Sequence, residues 1–482
     1  MIDRDAVRDN AKYLRQVRPI DPEEIAEYVE GSPHPAVVKQ TLREEAFDLG
    51  LVEREDGTFV PVDEEPVAVQ RWHPEAFPQE YSFALEDLLV REYGANWHMG
   101  DSGDTLREAI RRLKTDYYHG NPVAYDETAA MGYALYHLPD NYAVVGYVLE
   151  DLAKKGLLPR KLRVLDVGAG AGGPALGLVD YVGDDALVDY HAVEPSANAD
   201  VLEHLLDETP QNFHTTVHRE TAEELDSETL LDGGDDSGDG DDAFDIVLFA
   251  NVLSELDDPE SVVRTYLDVV ADDGSLVAIE PADLNTSTGL REVERAVTGP
   301  GSGLTVYAPT LRLWDGYEPT DRGWSFDVRD DLEVPGFQHR LDEGNDTDDE
   351  ESGTFVNVDV QFSHSILRKD QKRRFDVRAS GSRHARMADM EDHVTERIDL
   401  LAVKLSHNLS EGKNKLFKVG DGSEQTEHYA VLTRESVLNE ELEHAPYGAI
   451  LGFENVLALW NDDEGAYNLV VDTETVVDIV AA

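Results

Sequence analysis

Apolar residues in the middle of the chain form short, strand-like runs, and helical spacing follows the first of them. Four runs have the length of buried strands: 162–167, 190–193, 244–250 and 274–280. A helix is predicted to begin near Pro174, and a turn is predicted at 272–274. Strand, turn and helix in this order predict a doubly wound α/β domain over 159–370.

The first 68 residues have the pattern of a winged helix. Helical spacing predicts one helix at 23–29 and a second that stops at Gly50. Asp56 and Gly57 stand between two short apolar runs and predict a hairpin. Basic residues of the second helix sit beside acidic ones, so RNA contact, protein docking and a purely structural role all stay open.

Residues 69–158 form a predicted helical region. Leu106, Ile110 and Leu113 mark one helix, and 143–152 marks another. Tyrosines are frequent over 117–142, between these two helices. They suit either the lining of a substrate cleft or the packing of helices onto the next domain, and packing is favoured.

The C-terminal residues 390–482 have a different pattern of strands and helix. Three strand-like segments, a helix and two further strands follow one another there. That order predicts an OB-like β-barrel, a fold that commonly binds single-stranded nucleic acid.

Basic residues gather just before and inside the predicted barrel. Six of the twelve lysines lie between 369 and 418, and several arginines lie among them. Lys413, Lys415 and Lys418 are the candidate RNA contacts. Four aromatic residues are candidates for base stacking, or else for the barrel core: Phe417, Tyr429, Phe453 and Trp460.

The glycine-rich turn after the first strand carries the candidate cofactor chemistry. Gly168, Gly170 and Gly172 allow a sharp turn and a close approach of the backbone to a ligand, although tight strand-to-helix packing also explains glycines there. Asp166 would repel a pyrophosphate but suits an amino group, which favours S-adenosylmethionine over a dinucleotide. Glu194 ends the second strand, where a carboxylate can hold two ribose hydroxyls.

Composition narrows the class of protein. A net charge of -60 arises from 101 acidic and 41 basic residues, a surface that resembles those of extreme halophiles. A mimic of nucleic acid or a binder of basic partners is disfavoured because the acidic excess is spread along the whole chain. The acidic stretches 232–242 and 342–352 lack the ligand pattern of a Ca²⁺ loop, so we interpret them as solvated insertions and predict no metal site.

The chain has no cysteine, which excludes disulfides, thiolate metal sites and covalent thiolate catalysis. Its first residues lack the apolar core of a signal peptide, and no apolar run reaches the length of a membrane span. We therefore expect a cytoplasmic protein without membrane contact.

Several ordered motifs resemble the methyltransferase-like family of small ribosomal subunit assembly proteins, which has mitochondrial, bacterial and archaeal members. They are the segment 142–150, the glycine turn, Glu194 with its Pro-Ser sequel, the Leu-Ser-Glu-Leu element at 253–256, and Glu280 with Pro281. The resemblance covers roughly 117–368. It implies a class I S-adenosylmethionine-dependent methyltransferase (Rossmann-like) core that acts on small-subunit rRNA or within a pre-ribosomal particle.

One departure from that family concerns metal binding. Members often carry cysteines for an iron-sulfur cluster after a Tyr-Ala-Pro element and beside a tryptophan. Here Thr310 follows the Tyr-Ala-Pro element and Ser325 follows Trp324. No thiolate is present to hold a cluster, so none is expected.

Three functions stay open at this point. An RNA methyltransferase is favoured, with Asn251 as a further candidate cofactor contact and no catalytic residue assigned. The segment 251–254 is not an Asp/Asn-Pro-Pro-aromatic tetrapeptide, which counts against transfer to an exocyclic amine and leaves a ring nitrogen or an oxygen. A non-enzymatic assembly factor and, less favoured, a small-molecule methyltransferase are the alternatives.

Overall fold

The structure is a computed structural model, which describes residues 2–231, 243–345 and 353–482. The chain divides into two compact units, Met1–Ile246 with Asp331–Asp359, and Val247–Asp330 with Val360–Ala482. Among the described residues, no helix combines the length and the apolar character needed to cross a membrane. The predicted acidic insertion at 232–242 and most of the one at 342–352 lie outside the described residues.

The N-terminal region consists of short helices and one hairpin: α1 (Arg4–Leu14), α2 (Pro22–Tyr28), α3 (Pro35–Glu44), α4 (Ala46–Leu49), β1 (Leu51–Glu53) and β2 (Phe59–Pro61). Asp21 caps α2, since its carboxylate accepts a hydrogen bond from the backbone N–H of Glu23 at 2.9 Å. The first predicted helix and the hairpin are confirmed in position, while the second predicted helix is two helices, α3 and α4, separated at Glu45. α1 lies outside the predicted elements, although Val7, Ala11 and Leu14 form its buried stripe.

Three long helices follow: α5 (Gln79–Tyr93), α6 (Gly100–His119) and α7 (Glu127–Ala153). The tyrosine-rich residues 133–142, predicted to lie between helices, belong to α7 itself. Pro139 removes one backbone donor inside this helix. The helix continues through it because residues on every face, including Leu138 and Tyr142, are buried against neighbouring elements.

The α/β domain begins with β3 (Lys161–Val167), α8 (Gly173–Val182), β4 (Leu187–Val193), α9 (Asn198–Leu206), β5 (Phe213–His218) and β6 (Phe244–Ala250). It continues with α10 (Pro259–Leu267), β7 (Val270–Pro281), α11 (Leu284–Val297), β8 (Thr305–Ala308), β9 (Asp327–Val328), α12 (Gly336–Glu343) and β10 (Gln361–Arg368).

Strand order within each unit follows a doubly wound pattern. In the first unit the order is β5-β4-β3-β6, and β3, β4 and β5 run parallel. In the second unit it is β6-β7-β10-β8, with β10 antiparallel to both of its neighbours. Strand β6 carries residues of both units. The class I methyltransferase fold predicted from the sequence is confirmed for this domain.

Two details of the domain differ from the predictions. β5 has no predicted counterpart, because its exposed Thr215 and Thr216 interrupt the apolar run that marks a buried strand. The predicted turn at 272–274 is wrong, because β7 extends continuously from Val270 to Pro281. Asp272 and Asp273 are exposed residues within this strand, so their polar character does not signal a turn.

The C-terminal region contains β11 (Arg397–Lys404), β12 (Lys415–Gly420), β13 (His428–Leu432), α13 (Glu441–His444), β14 (Ile450–Asn461), β15 (Ala466–Val471) and β16 (Val476–Ala481). Five strands close into a barrel in the order β11-β12-β13-β15-β14, and β14 pairs back with β11. β13 and β15 are parallel. The single strand predicted over 467–480 is two strands, since Asp472 and Thr475 form a turn between them.

Candidate functional site

The turn between β3 and α8 places glycine where the backbone requires it. Gly168, Gly170 and Gly172 have φ angles of 74°, 55° and 95°, in the left-handed region that favours glycine. The N–H groups of Gly168 and Ala169 donate to the carbonyl of Val193 at 2.8 and 3.1 Å. The turn is thereby held against the end of β4.

Packing explains part of the glycine content of the turn and of α8. A Cβ at Gly172 would lie 2.7 Å from Leu202 Cδ1, and one at Gly177 would lie 2.3 Å from the carbonyl oxygen of Tyr142. These two glycines serve the close approach of neighbouring helices. A Cβ at Gly170 would lie 3.4 Å from Tyr133 Cε1, a tighter distance than most side chains accept, beside an aromatic ring.

Asp166 lies on β3 just before the turn and is completely buried. Its Oδ2 accepts a hydrogen bond from the hydroxyl of Tyr190 on β4, while its Oδ1 has no partner among the described residues. Burial raises the pKa of Asp166 to about 7, against the opposing effect of the Tyr190 hydrogen bond. A buried carboxylate oxygen without a partner fits the amino group of S-adenosylmethionine, as predicted from the sequence.

Glu194 is engaged inside the protein. Its Oε2 accepts from the N–H of Gly170 at 2.9 Å, and its Oε1 accepts from the N–H and the hydroxyl of Ser196 at 3.0 and 2.5 Å. The side chain is buried. These bonds fasten the glycine turn to the end of β4, and the predicted contact of Glu194 with ribose hydroxyls stays a prediction.

The helix α7 lines the other side of the turn with polar and aromatic side chains. Tyr133 stacks edge-on against Tyr125, with ring centroids 5.5 Å apart, and its hydroxyl accepts from Asn141 Nδ2 at 3.1 Å. His137 lies beside Tyr133 and is 3.5 Å from Asp140 Oδ2. These residues are the part of the tyrosine-rich segment that lies nearest the predicted cofactor turn.

Other tyrosines of the segment pack the fold together. The hydroxyls of Tyr142 and Tyr81 donate to the two oxygens of Asp180 at 2.7 and 2.9 Å. Burial raises the pKa of Asp180 above its ordinary value, and it raises the pKa of both tyrosines as well. The packing interpretation is therefore confirmed for Tyr142.

In the second unit, Asn251 follows β6 with a left-handed φ of 57°. Its N–H donates to the carbonyl of Ile279 at 2.8 Å, which pins the chain to β7. Glu280 holds the Leu-Ser-Glu-Leu element, since its Oε1 accepts from the N–H of Leu253 at 2.9 Å. Burial raises the pKa of Glu280 to about 8, so this carboxyl is largely protonated at neutral pH.

Thr310 and Ser325 are the residues compared with cysteines in the sequence analysis, and both hydroxyls form hydrogen bonds within the protein. Thr310 donates to Glu294 Oε1 at 2.5 Å, and the Ser325 hydroxyl lies 2.7 Å from that of Tyr447. Glu294 is buried and forms an ion pair of 2.6 Å with Arg291. Among the described residues, no group of three or more His, Asp or Glu side chains is arranged to hold a metal ion.

The three lysines predicted to contact RNA differ in their surroundings. Lys413 is exposed. Lys415 is partly exposed and pairs with Glu435 at 2.9 Å and with Glu443. Lys418 is only 1% exposed, and its ammonium group pairs with Asp321 at 2.5 Å and with Glu427. The buried Lys418 has no access to a phosphate, which corrects the expectation of RNA contact at this position.

The four aromatic residues predicted to stack on bases also differ in how far they are buried. Phe417 and Phe453 are buried in the barrel core, which confirms the packing alternative for both. Tyr429 is partly buried, and Trp460 is 40% exposed on the outside of β14. Trp460 packs edge-on against Tyr467, with centroids 4.8 Å apart.

Residues 320–327, a segment of the same unit, lie against β12 and against loops that flank it. The N–H of Thr320 donates to the carbonyl of Glu424 at 2.8 Å, and Asp321 reaches Lys418. Asp327 accepts from His407 Nε2 at 2.8 Å. Oligonucleotides commonly bind OB-fold barrels on the equivalent second and third strands. In this chain the residues 320–327 occupy part of that surface.

Three family models match the chain. A methyltransferase domain matches residues 141–332. The N-terminal and C-terminal domains of a family described as a domain of unknown function match residues 4–55 and 388–480. The match at 141–332 begins within α7 and extends through β9, and S-adenosylmethionine is the cofactor of this domain. No curated protein matches the chain significantly by sequence.

Solved methyltransferases are similar in part. A putative methyltransferase from Thermoplasma acidophilum is 11% identical, with a TM-score of 0.28, over 44% of this chain and 70% of its own. The plantazolicin methyltransferase BpumL, solved with SAH, has the same identity and TM-score over 60% of this chain and 98% of its own. A sugar N-methyltransferase from Streptoalloteichus is 21% identical with a TM-score of 0.20, and this chain covers only 47% of it. Similarities with such low identities and TM-scores identify neither the substrate nor the reaction of this chain.

Some residues at the cofactor turn cannot be found from motif spacing. Tyr190 precedes Glu194 on β4, and nothing in its local pattern marks it as the partner of Asp166. An available signal is the parallel register, which pairs Asp166 with Ala192 and so places Tyr190 on the same face. Tyr133 lies 37 residues before Gly170, and only the fold brings the two together.

Proposed function

We propose that this chain transfers a methyl group from S-adenosylmethionine to RNA of the small ribosomal subunit or of its precursor particle. The buried, unpartnered Oδ1 of Asp166 beside the glycine turn carries the cofactor part of the proposal. The RNA part is supported by the motif resemblance and by arginines that point outward from residues 372–386. When bound, S-adenosylmethionine supplies an electrophilic methyl group on its sulfonium.

The chain's own residues bind and orient the cofactor. Asp166 holds an amino group with one carboxylate oxygen, while Tyr190 fixes the other oxygen by hydrogen bonding. Glycine at Gly168 and Gly170 keeps side chains out of the turn, and Tyr133 closes the side of the turn that faces α7. If the nucleophile is a ring nitrogen with a free lone pair, no side chain has to act as a general base before methyl transfer.

The flanking regions complete the proposal. We interpret residues 4–61 as winged-helix-like, since four short helices precede a hairpin. We interpret the barrel as OB-like, because its strand order and the parallel β13–β15 pair match that fold. Because residues 320–327 lie against β12, the second strand of the barrel, we infer that this strand does not present a bare RNA groove at Lys418.

A second candidate is a non-enzymatic assembly factor that keeps the fold as a scaffold. The hydrogen bonds of Glu194 favour it, because a carboxylate that fastens Gly170 and Ser196 has an internal structural use. In an enzyme, a ribose hydroxyl at Glu194 would share Oε2 with the N–H of Gly170, because Oε1 already accepts two bonds. A scaffold has no such requirement.

In vitro methyl transfer separates the two candidates. The purified chain is incubated with S-adenosylmethionine labelled in the methyl group and with small-subunit precursor RNA, and the RNA is counted after extraction. An enzyme labels RNA, and Asp166→Ala abolishes the label. Absence of label with the wild-type chain, together with binding of the same RNA, supports the scaffold.

A further inference from the structure

The basic residues between 368 and 386 divide into inward and outward groups. Arg368 is buried and pairs with Asp370, and the ammonium of Lys369 donates to the carbonyl of Val270 at 2.7 Å. Arg374 is also buried. These inward cations satisfy partners within the fold, so the structure itself explains their presence.

The outward group is bound to the fold more loosely, through contacts near the surface: Lys372 pairs with Asp370 at 3.2 Å, and Arg386 pairs with Asp389. We call residues 372–386 the arginine strip; it contains six Lys or Arg residues and a single acidic residue, Asp376. Its outward cations are Lys372, Arg378, Arg383 and Arg386. In a chain with 101 acidic and 41 basic residues, a segment of this composition is a local reversal of charge. An exposed cluster of cations on so acidic a chain points to a polyanion as its partner.

The ion pairs of the strip are partly exposed. Arg386 is 25% exposed and pairs with Asp389, which is 46% exposed. Arg378 is 44% exposed and lies 3.4 Å from Asp315, which is itself 83% exposed. Arg383 has no ion pair with any residue that the structure describes. Exposed pairs contribute little free energy, so a phosphate can replace Asp315 at small cost.

Aromatic rings flank the strip. The guanidinium of Arg386 lies 4.0 Å from the ring centroid of Tyr317 and 5.4 Å from that of Trp314. Ser380 and Ser382 add hydroxyl groups in the loop just before Arg383. Planar guanidinium and aromatic surfaces stack with unpaired bases, while arginine and serine side chains contact phosphates.

We propose that the arginine strip, together with Tyr317 and Trp314, binds single-stranded RNA through its phosphates and bases. The inference rests on the proposed function and names its RNA-binding surface. An acidic peptide offers the same charge but no bases for the stacked surface at Arg386 and Tyr317. The observations therefore favour RNA over a peptide.

The test measures binding of the full-length chain to a fluorescent 20-nucleotide oligouridylate over a series of KCl concentrations. The strip variant is Arg378→Ala with Arg383→Ala. One control is Lys413→Ala with Lys415→Ala, which removes the barrel lysines. Another is Arg91→Ala with Arg264→Ala, which removes two exposed, ion-paired arginines elsewhere. All four chains are first compared by thermal unfolding, since these side chains are largely exposed.

We expect the strip variant to bind RNA about 10-fold more weakly than the wild-type chain. The slope of log affinity against log salt concentration should become shallower by about 1.4, since each of the two lost phosphate contacts contributes about 0.7. Both controls should bind like the wild-type chain. If the wild-type chain binds RNA and the strip variant binds equally well, the strip is not the surface, although the proposed function stands. If the wild-type chain binds polyglutamate but no RNA, the strip proposal and the RNA part of the proposed function both fail.

Discussion

The hydroxyl of Tyr190 on β4 donates a hydrogen bond to Oδ2 of Asp166 on β3, in the buried layer directly before the glycine turn. This bond leaves Oδ1 as the oxygen of Asp166 without a partner among the described residues. A carboxylate fixed at one oxygen and open at the other is oriented before a ligand arrives. Preorganisation of this kind lowers the entropic cost of binding.

The buried Asp166 makes stability depend on pH. Its pKa is raised from 3.8 to about 7, so the folded chain keeps a proton that the unfolded chain releases above about pH 4. Stability therefore falls as pH rises through this window. Relative to Asp166→Asn, the wild-type chain should lose about 2 kcal/mol of unfolding free energy between about pH 5 and pH 8. Urea unfolding at both pH values measures the difference, and parallel pH profiles would show that Asp166 is ionised in the folded chain.

Gly170→Asp tests the cofactor turn. The new carboxylate lies beside Tyr133 and next to the oxygen of Glu194 that accepts from the Gly170 N–H. Steric conflict and like-charge repulsion should weaken binding of S-adenosylmethionine by about 100-fold in calorimetry. Gly183→Asp is the matched control, because Gly183 also has a left-handed φ, of 77°, but has open space around its Cβ position. Equal affinity in the two variants would place the cofactor elsewhere.

Lys418 tests the corrected interpretation of the barrel lysines. Lys418→Ala leaves Asp321 and Glu427 buried without this cation, so the unfolding free energy should fall by about 3–5 kcal/mol. Lys413→Ala should change it by less than about 0.5 kcal/mol, because Lys413 is exposed. Chemical denaturation measures both. A Lys418 variant as stable as the Lys413 variant would mean that the buried ion pairs contribute nothing.

Gly177 tests the contact between α7 and α8. A Cβ there would lie 2.3 Å from the carbonyl oxygen of Tyr142 and 2.5 Å from Val145 Cγ1. Gly177→Ala should therefore destabilise the chain by about 3 kcal/mol, since backbone cannot move aside as a side chain can. Gly289→Ala, in α11 with nothing within 4 Å of its Cβ position, should instead stabilise by about 0.5 kcal/mol. Thermal unfolding compares them, and a neutral Gly177→Ala would refute the close helix contact.

The α/β strands were predictable because buried parallel strands read as apolar runs, as in 244–250, which coincides with β6. Polar edge strands such as β5 lack that signal and depend on pairing with a neighbour. The glycine turn was predictable from its sequence, since three of its glycines have left-handed φ angles. The partners of Asp166 and Lys418 were not, because Tyr190 and Asp321 reach them only through strand pairing and chain folding.

Burial also decides which charged residues can contact RNA. The sequence shows Lys413, Lys415 and Lys418 as one basic cluster, since spacing does not reveal which side of a strand is covered. In the structure the cover over β12 comes from residues 320–327, almost one hundred positions earlier. A local pattern carries no information about such a distant segment.

The most direct test of the central proposal is the methylation map of small-subunit rRNA, measured by mass spectrometry in a strain that lacks this chain. We predict that one methyl mark is missing, that the wild-type chain restores it, and that Asp166→Ala does not, although that variant still associates with precursor particles. A complete set of methyl marks in the deletion strain would contradict the catalytic function, even if binding of S-adenosylmethionine were measured.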